Sequence, residues 1–289
     1  MARNFTRRDF LKLGATAGLT WTLEGCRTPV NPGIEGVLGF NVQPYTGSAL
    51  SVQMQALSEI NANWVRITLG ITTDVGGPYV AATQANVLGL IADFNLGPIS
   101  KSDWPDMVET VIRRYPSIRY FEILNEPAVF NGISNTEYVQ DYLKPAHDRI
   151  RANFPSVNIV AAAPIGQPSG ITDFAEMSTA GADRYCDFRA VHIYFDNGLV
   201  NPWSSFQVAT RKPIMVTETG INRPDQHLSW WNNQIPEMKR VFTTDLVFYY
   251  VLLEQPFTGF GIITGQLDGS GRVVPTPGSE LYTFLRDSA

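Results

Sequence analysis

Short runs rich in β-branched and aromatic residues alternate with helix-periodic segments along most of this chain, and that alternation restricts its fold more than any other feature. It is the pattern of repeated βαβ units, whose strands pair in parallel because each crossover carries a helix. Strands are expected at Val37 to Asn41, Trp64 to Thr68, Val87 to Ala92, Ile118 to Leu124, Val157 to Ala162, Ala190 to Phe195, Pro213 to Thr217 and Leu246 to Leu253. Between them, helices are expected at Leu50 to Ile60, Tyr79 to Ala85, Trp104 to Tyr115, Thr136 to Phe154 with a bend at Pro145, Ile171 to Ala180, and part of His227 to Thr244, where Pro236 limits or kinks the helix. A last helix, Leu281 to Arg286, closes the chain. Eight such units need about 250 residues, and the chain has 289. The expected fold is therefore α/β, a single (β/α)8 TIM barrel over residues 36–289. An open doubly wound sheet is the alternative, but it calls for a glycine-rich phosphate turn after its first strand, and Phe40-Asn41-Val42-Gln43-Pro44 has no glycine.

The first 26 residues read as an address. Thr6-Arg7-Arg8-Asp9-Phe10-Leu11-Lys12 resembles a twin-arginine export motif and is followed by a weakly apolar stretch, Leu13 to Leu23. The competing reading is a basic helix that stays attached. Leu23-Glu24-Gly25-Cys26 resembles a lipoprotein cleavage box that would place a lipid anchor on Cys26, with Glu24 departing from the usual small residue; cleavage nearby to a soluble protein is the other reading. Residues 27–35 form a linker. The expected location is periplasmic, extracellular or lipid-anchored at the cell surface.

Net charge is −5, and five cations (Arg3, Arg7, Arg8, Lys12 and Arg27) precede residue 28, so the barrel region is more acidic than the whole. No basic stripe remains to neutralise phosphates, which argues against nucleic acid as a partner. No run of about 18 apolar residues suggests a transmembrane segment. Three histidines and two cysteines, none at metal-ligand spacing, argue against a zinc site, and no cofactor is expected.

Barrel enzymes carry their chemistry at the C-terminal ends of strands. Here those ends read Asn125-Glu126-Pro127 for the fourth strand, His192-Ile193-Tyr194 for the sixth, and Thr217-Glu218-Thr219-Gly220 for the seventh, with Arg66 on the second. In that order the motifs resemble glycoside hydrolase clan A, the retaining barrel glycosidases, and are similar to its families 5 and 39. The resemblance implies a carbohydrate partner and two catalytic glutamates: Glu126 as general acid/base and Glu218 as nucleophile. It further implies that Arg66 and Tyr194 hold Glu218, that Asn125 donates to the sugar 2-hydroxyl, and that His192 contacts substrate or orients Tyr194. Where the clan often ends its eighth strand in a tryptophan, this chain has Tyr249 and Tyr250; either one of them is the sugar platform, with Tyr250 the choice, or the platform is absent. Asp93 and Asn95 are the polar groups available at the end of the third strand. Trp203 and Trp231 are expected at the mouth as stacking surfaces, with Trp230 and Trp104 as further candidates; packing of helix on barrel is the rival reading for each.

The expected reaction is retaining hydrolysis of a β-linked glycoside or polysaccharide by double displacement. Transglycosylation shares its chemistry. A non-catalytic sugar-binding barrel would be expected to lack one of the two carboxylates, and a metal-dependent hydrolase would need more histidines. Read singly, Asn125-Glu126-Pro127 is also a plain turn out of a strand, and Arg66 with Glu218 is also a structural ion pair.

Overall fold

The structure, a computed structural model, describes residues 39–44, 47–71, 74–92, 100–196, 202–255 and 258–289. The export motif, Cys26, the linker, Asp93 and Asn95 lie outside the described residues. Eight parallel strands close into a barrel in sequence order: β1 (Gly39–Val42), β2 (Trp64–Leu69), β3 (Asn86–Ile91), β4 (Tyr120–Ile123), β5 (Asn158–Ala161), β6 (Phe188–Ile193), β7 (Ile214–Thr219) and β8 (Val247–Tyr249). β8 returns to pair with β1, Gly39 opposite Phe248. The architecture is the single (β/α)8 barrel expected from the alternation. Helices α1 (Gly47–Glu59), α2 (Gly77–Ala82), α3 (Trp104–Arg114), α4 (Lys144–Asn153), α5 (Gly170–Thr179), α6 (Ser204–Val208), α7 (His227–Phe242) and α8 (Leu281–Ser288) are described around it.

Strand period two divides the side chains into two sets. One set faces the helices and joins the main apolar core, including Phe40, Val65, Ile67, Phe121, Ile123, Val191 and Val216. The other fills the barrel. Its lower layer is an apolar plug of Trp64, Leu88, Val160, Phe188, Met215 and Phe248. Trp64 meets Tyr120 and Phe248 edge-on, at centroid distances of 5.3 and 6.3 Å. One inward step higher the interior turns polar, with Asn41, Arg66, Glu122 and Thr217 all buried. Trp64 and Arg66 share one face of β2, so one strand supplies both plug and site.

Two local irregularities set the site. Along β7, Met215 faces the barrel and Val216 the helices, so strict alternation would turn Glu218 outward. A register shift between β6 and β7 prevents this: Val191 pairs with Val216, but His192 pairs with Glu218. The extra residue re-aims Glu218 inward, the usual effect of a β-bulge. At the end of β4, Leu124 and Glu126 take positive φ values of 66° and 38°. These left-handed residues swing the chain over the rim and into a short turn, Pro127–Phe130. Non-glycine residues in this region cost about 1–3 kcal/mol each and recur at functional sites.

Several elements depart from the sequence reading. The helix expected from Thr136 begins at Asn135, capped by the Ser134 side chain accepting from the Glu137 N–H. It then widens into a π-helical turn, Tyr138–Leu143, before α4. Pro145 is the second residue of α4, directly after the π turn, and the helical run continues through it to Asn153. Pro236 is carried inside α7, which runs unbroken to Phe242. β8 spans three residues instead of eight; the apolar run continues, but Tyr250 turns to the mouth and Leu253 bridges to Ile263. A further antiparallel hairpin, β9 (Ile263–Leu267) and β10 (Val273–Pro275), was not expected from the sequence. Its signal is the Asp268-Gly269 turn, where the Asp268 carboxylate accepts from the Ser270 and Arg272 N–H groups.

Candidate active site

The C-terminal ends of the strands enclose a cleft of about 490 Å³ lined by Asn41, Arg66, Asn125, Glu126, Tyr194, Glu218 and Tyr250, among others. One oxygen of Glu126 and one of Glu218 lie within 4.8 Å of each other, with His192 between them. Both carboxylates are buried, at 9% and 8% exposure, so each retains only a narrow opening to the cleft.

Glu218 is held from three sides. Arg66 Nη1 donates to Oε1 at 2.7 Å, the Tyr194 hydroxyl donates to Oε2 at 2.6 Å, and His192 Nε2 lies 3.6 Å from Oε1. Burial alone would push this carboxyl up; the electrostatic influence of the neighbouring His192 and Arg66 and the hydrogen bonds of Tyr194 and Arg66 outweigh it and hold Glu218 below the usual carboxylate range. Burial and the neighbouring Glu218 charge push the Tyr194 hydroxyl well above its ordinary value, so it remains a donor.

Arg66 is the hub. Its Nε donates to Glu122 Oε2 at 2.6 Å, its Nη1 also to Asn41 Oδ1 at 2.8 Å, and its Nη2 to Asn125 Oδ1 at 2.6 Å. Burial would lower its pKa, but Glu122 and Glu218 together raise it, so the guanidinium stays charged. Since Asn125 accepts through Oδ1, its amide nitrogen is the end available to donate into the cleft. Asn41 is fixed in turn, its Nδ2 donating to the Thr217 carbonyl at 2.9 Å.

Glu126 meets a different environment. Its Oε1 lies 2.6 Å from His192 Nδ1, and its backbone N–H donates to the Ala163 carbonyl. Arg66 does not reach it. The two carboxylates thus stand in contrasting surroundings, one gripped by a guanidinium and a phenol, the other by an imidazole. His192 is buried, with its Nδ1 hydrogen-bonded to Glu126 and its Nε2 3.6 Å from Glu218, a place beside both glutamates. Gly166 leaves room for the Tyr194 ring, since any Cβ there would collide with it.

Of the two tyrosines offered as platform, Tyr250 lines the cleft, while Tyr249 faces outward onto Trp231 and His227. Tyr250 meets Tyr194 edge-on at 6.0 Å and Phe260 at 5.7 Å, and burial with the nearby Glu218 charge pushes its hydroxyl up to about 12. The Tyr250–Val251 peptide is cis.

The tryptophans are corrected. Trp203 is fully buried and stacks on Phe242 at 6.3 Å, in the layer between α6 and α7. Trp231 stacks on Phe40 at 6.0 Å, on the outer face of β1. Neither lines the cleft. Trp230 donates to Thr219 from α7, and Trp104 to the Tyr142 carbonyl. Each ring packs in or against the main apolar core around the barrel.

Sequence reasoning missed Glu122, Asn41, Gln43, Phe130, Gln167, Gln255 and Phe260. Strand alternation was the available signal for Glu122, which shares a face with Tyr120, and for Asn41, which shares one with Gly39. Phe260 had none. Its loop is folded by the Glu254 carboxylate, which accepts from Thr258 Oγ1 and the N–H groups of Gly259 and Gly261. As for metal, His192, Glu126 and Glu218 are the described trio close enough to ligate one ion. Arg66 and Tyr194 each donate to one Glu218 oxygen, so the trio is already engaged in a network of protein donors.

A closed parallel barrel with such a cleft at its C-terminal mouth has the fold of the clan A glycosidases. No protein-family model matches the chain, and no curated protein matches it. Solved structures do. The catalytic domain of GH30 xylanase C from Talaromyces cellulolyticus is 14% identical with a TM-score of 0.60, over 86% of this chain and 74% of that one. A GH128 (subgroup VI) exo-β-1,3-glucanase from Aureobasidium namibiae is 15% identical with a TM-score of 0.57, over 82% of this chain and 94% of that one. A β-D-glucuronidase from Dictyoglomus thermophilum is 13% identical with a TM-score of 0.60; the match covers 87% of this chain but half the length of that one. The structural neighbours are glycoside hydrolases.

Proposed function

We propose that the protein is a retaining β-glycoside hydrolase in which Glu218 is the nucleophile and Glu126 the general acid/base. The observation that carries this reading is the pair of buried carboxylates facing one cleft with oxygens within 4.8 Å. Retaining glycosidases keep their carboxyl groups about 5–5.5 Å apart, and inverting ones about 6.5–9.5 Å, to admit a water.

The unequal surroundings divide the roles. Glu218, held ionised by Arg66 and Tyr194, attacks the anomeric carbon. Glu126 simultaneously gives its proton to the departing glycosidic oxygen, forming a glycosyl ester on Glu218 and releasing the leaving group. Water then attacks the same carbon, passes a proton to Glu126 and frees Glu218. His192 Nδ1 holds Glu126 in place through both proton transfers. The Asn125 amide reaches the sugar 2-hydroxyl, a contact that strengthens as positive charge develops at the anomeric centre.

An aryl β-glycoside panel with the two glutamates changed separately tests the assignment. Glu218→Ala is expected to abolish turnover of every glycoside. Glu126→Ala is expected to keep activity on substrates with good leaving groups and to gain rate with added azide, giving a β-glycosyl azide. Equal loss in both variants without azide rescue contradicts the division of roles.

A further inference from the structure

Large apolar side chains are exposed at few described positions, and two of them, Val129 and Phe130, are adjacent, each about half exposed, at 50% and 49%. They belong to the turn that leaves Glu126. The Val129 and Phe130 N–H groups donate to the Glu126 carbonyl at 2.8 and 3.1 Å, so this turn is fastened to the residue that carries the acid. Phe130 lines the same cleft as both glutamates. Tyr194, Tyr250 and Phe260 form one contacting cluster, anchored to the Glu218 side by the Tyr194 hydrogen bond.

From this arrangement we propose that Phe130 is the stacking platform for the leaving group, and that the site takes substrates whose leaving group is itself a ring, a second sugar unit of a β-linked oligosaccharide or polysaccharide. The inference rests on the acid/base assignment of Glu126. An acid must lie beside the oxygen it protonates, so the leaving group departs on the Glu126 side. A half-exposed phenyl ring tied to that residue is placed to meet it. Pyranose rings present faces of C–H groups, which pack on aromatic rings and remove apolar surface from water. The Tyr250 cluster then serves the sugar that becomes bound to Glu218, and the two aromatic surfaces flank the bond to be cleaved.

Substrates that differ only in the leaving group test this. With the glycone fixed as the one selected by the aryl panel, a β-glycosyl fluoride has no ring to stack, whereas the matching phenyl β-glycoside and oligosaccharide do. For Phe130→Ala, kcat/KM on the fluoride is expected to stay within about twofold, and on the ring-bearing substrates to fall about tenfold, a loss of about 1.4 kcal/mol. Phe130→Trp is expected to restore it. Equal falls on both kinds of substrate, or no fall on either, overturn the proposal. A second measurement needs no turnover: saturation-transfer NMR with phenyl β-D-glucopyranoside is expected to show strong saturation of the phenyl protons with the parent protein and little with Phe130→Ala. Equal saturation, or none with the parent, also counts against it. Failure of the parent to cleave any glycoside of the aryl panel, with the NMR difference intact, would instead sink the glycosidase reading and leave the ring-binding site standing.

Discussion

At the scale of single residues, the site turns on how one guanidinium is shared. Arg66 serves two carboxylates, yet only Glu218 faces the cleft; Glu122 lies beneath, fully buried and bonded to Arg66 and Thr217. Tyr194 is the other support of Glu218, and its removal is the cleaner test because it leaves the charges in place. Tyr194→Phe deletes a hydrogen bond to a charged acceptor, worth about 1.5–3 kcal/mol, so kcat/KM is expected to fall on the order of 10- to 100-fold. The same bond keeps the carboxyl pKa low. The acid limb of the pH–rate profile, which reports ionisation of the free-enzyme nucleophile, should therefore move to higher pH in the variant. An acid limb that stays put would mean that Tyr194 does not sustain the ionised form. Stability follows the same sign: Glu218 is depressed in the folded state, so its contribution is present above about pH 4.3, the unfolded value, and is lost as pH falls through the lower folded one. Metal dependence is tested at this scale too. The two-carboxylate mechanism needs no metal, so activity is expected to survive EDTA, and loss that zinc restores would contradict it.

At the scale of elements, the informative residues are those whose place the sequence misjudged. Trp203 precedes α6 and stacks on Phe242 of α7, so it is part of the fit between two helices. Trp203→Ala is expected to cost about 3–5 kcal/mol, as truncation of a buried aromatic does, and to lower the denaturation midpoint while the folded fraction keeps its kcat/KM. Weakened substrate binding without loss of stability would return Trp203 to the mouth. The bulge in β7 acts in the opposite way, because it contributes little to packing and everything to direction. Without the extra residue opposite β6, Glu218 would lie among the helices beside Val216.

At the scale of the whole molecule, the barrel separates stability from chemistry along its axis. The aromatic plug of Trp64, Tyr120, Phe188 and Phe248 closes the lower end, while the mouth holds buried charge and strained backbone. We propose further that the protein is exported through the twin-arginine route, on the strength of Arg7-Arg8 and the apolar stretch behind them. Replacing both arginines by lysine is expected to hold the full-length chain inside the cell, and mass spectrometry of the mature N-terminus would decide between a lipidated Cys26 and a soluble product. Unchanged export of the twin-lysine variant would sink the assignment.

Periodicity, strand-end motifs and chain length were enough to read the barrel and the strand order, and to place Arg66, Asn125, Glu126, Tyr194 and Glu218 at its mouth, because each of these depends on local spacing or on a short motif at a strand end. The burial of Trp203, the outward turn of Tyr249, the position of His192 beside both glutamates and the place of Phe260 depend on contacts between distant segments. So does the inward aim of Glu218, which strict alternation along its own strand would have denied. A side chain's direction at the rim of a barrel is decided by the register of its neighbours and by single left-handed residues such as Leu124, and no one-dimensional pattern encodes either.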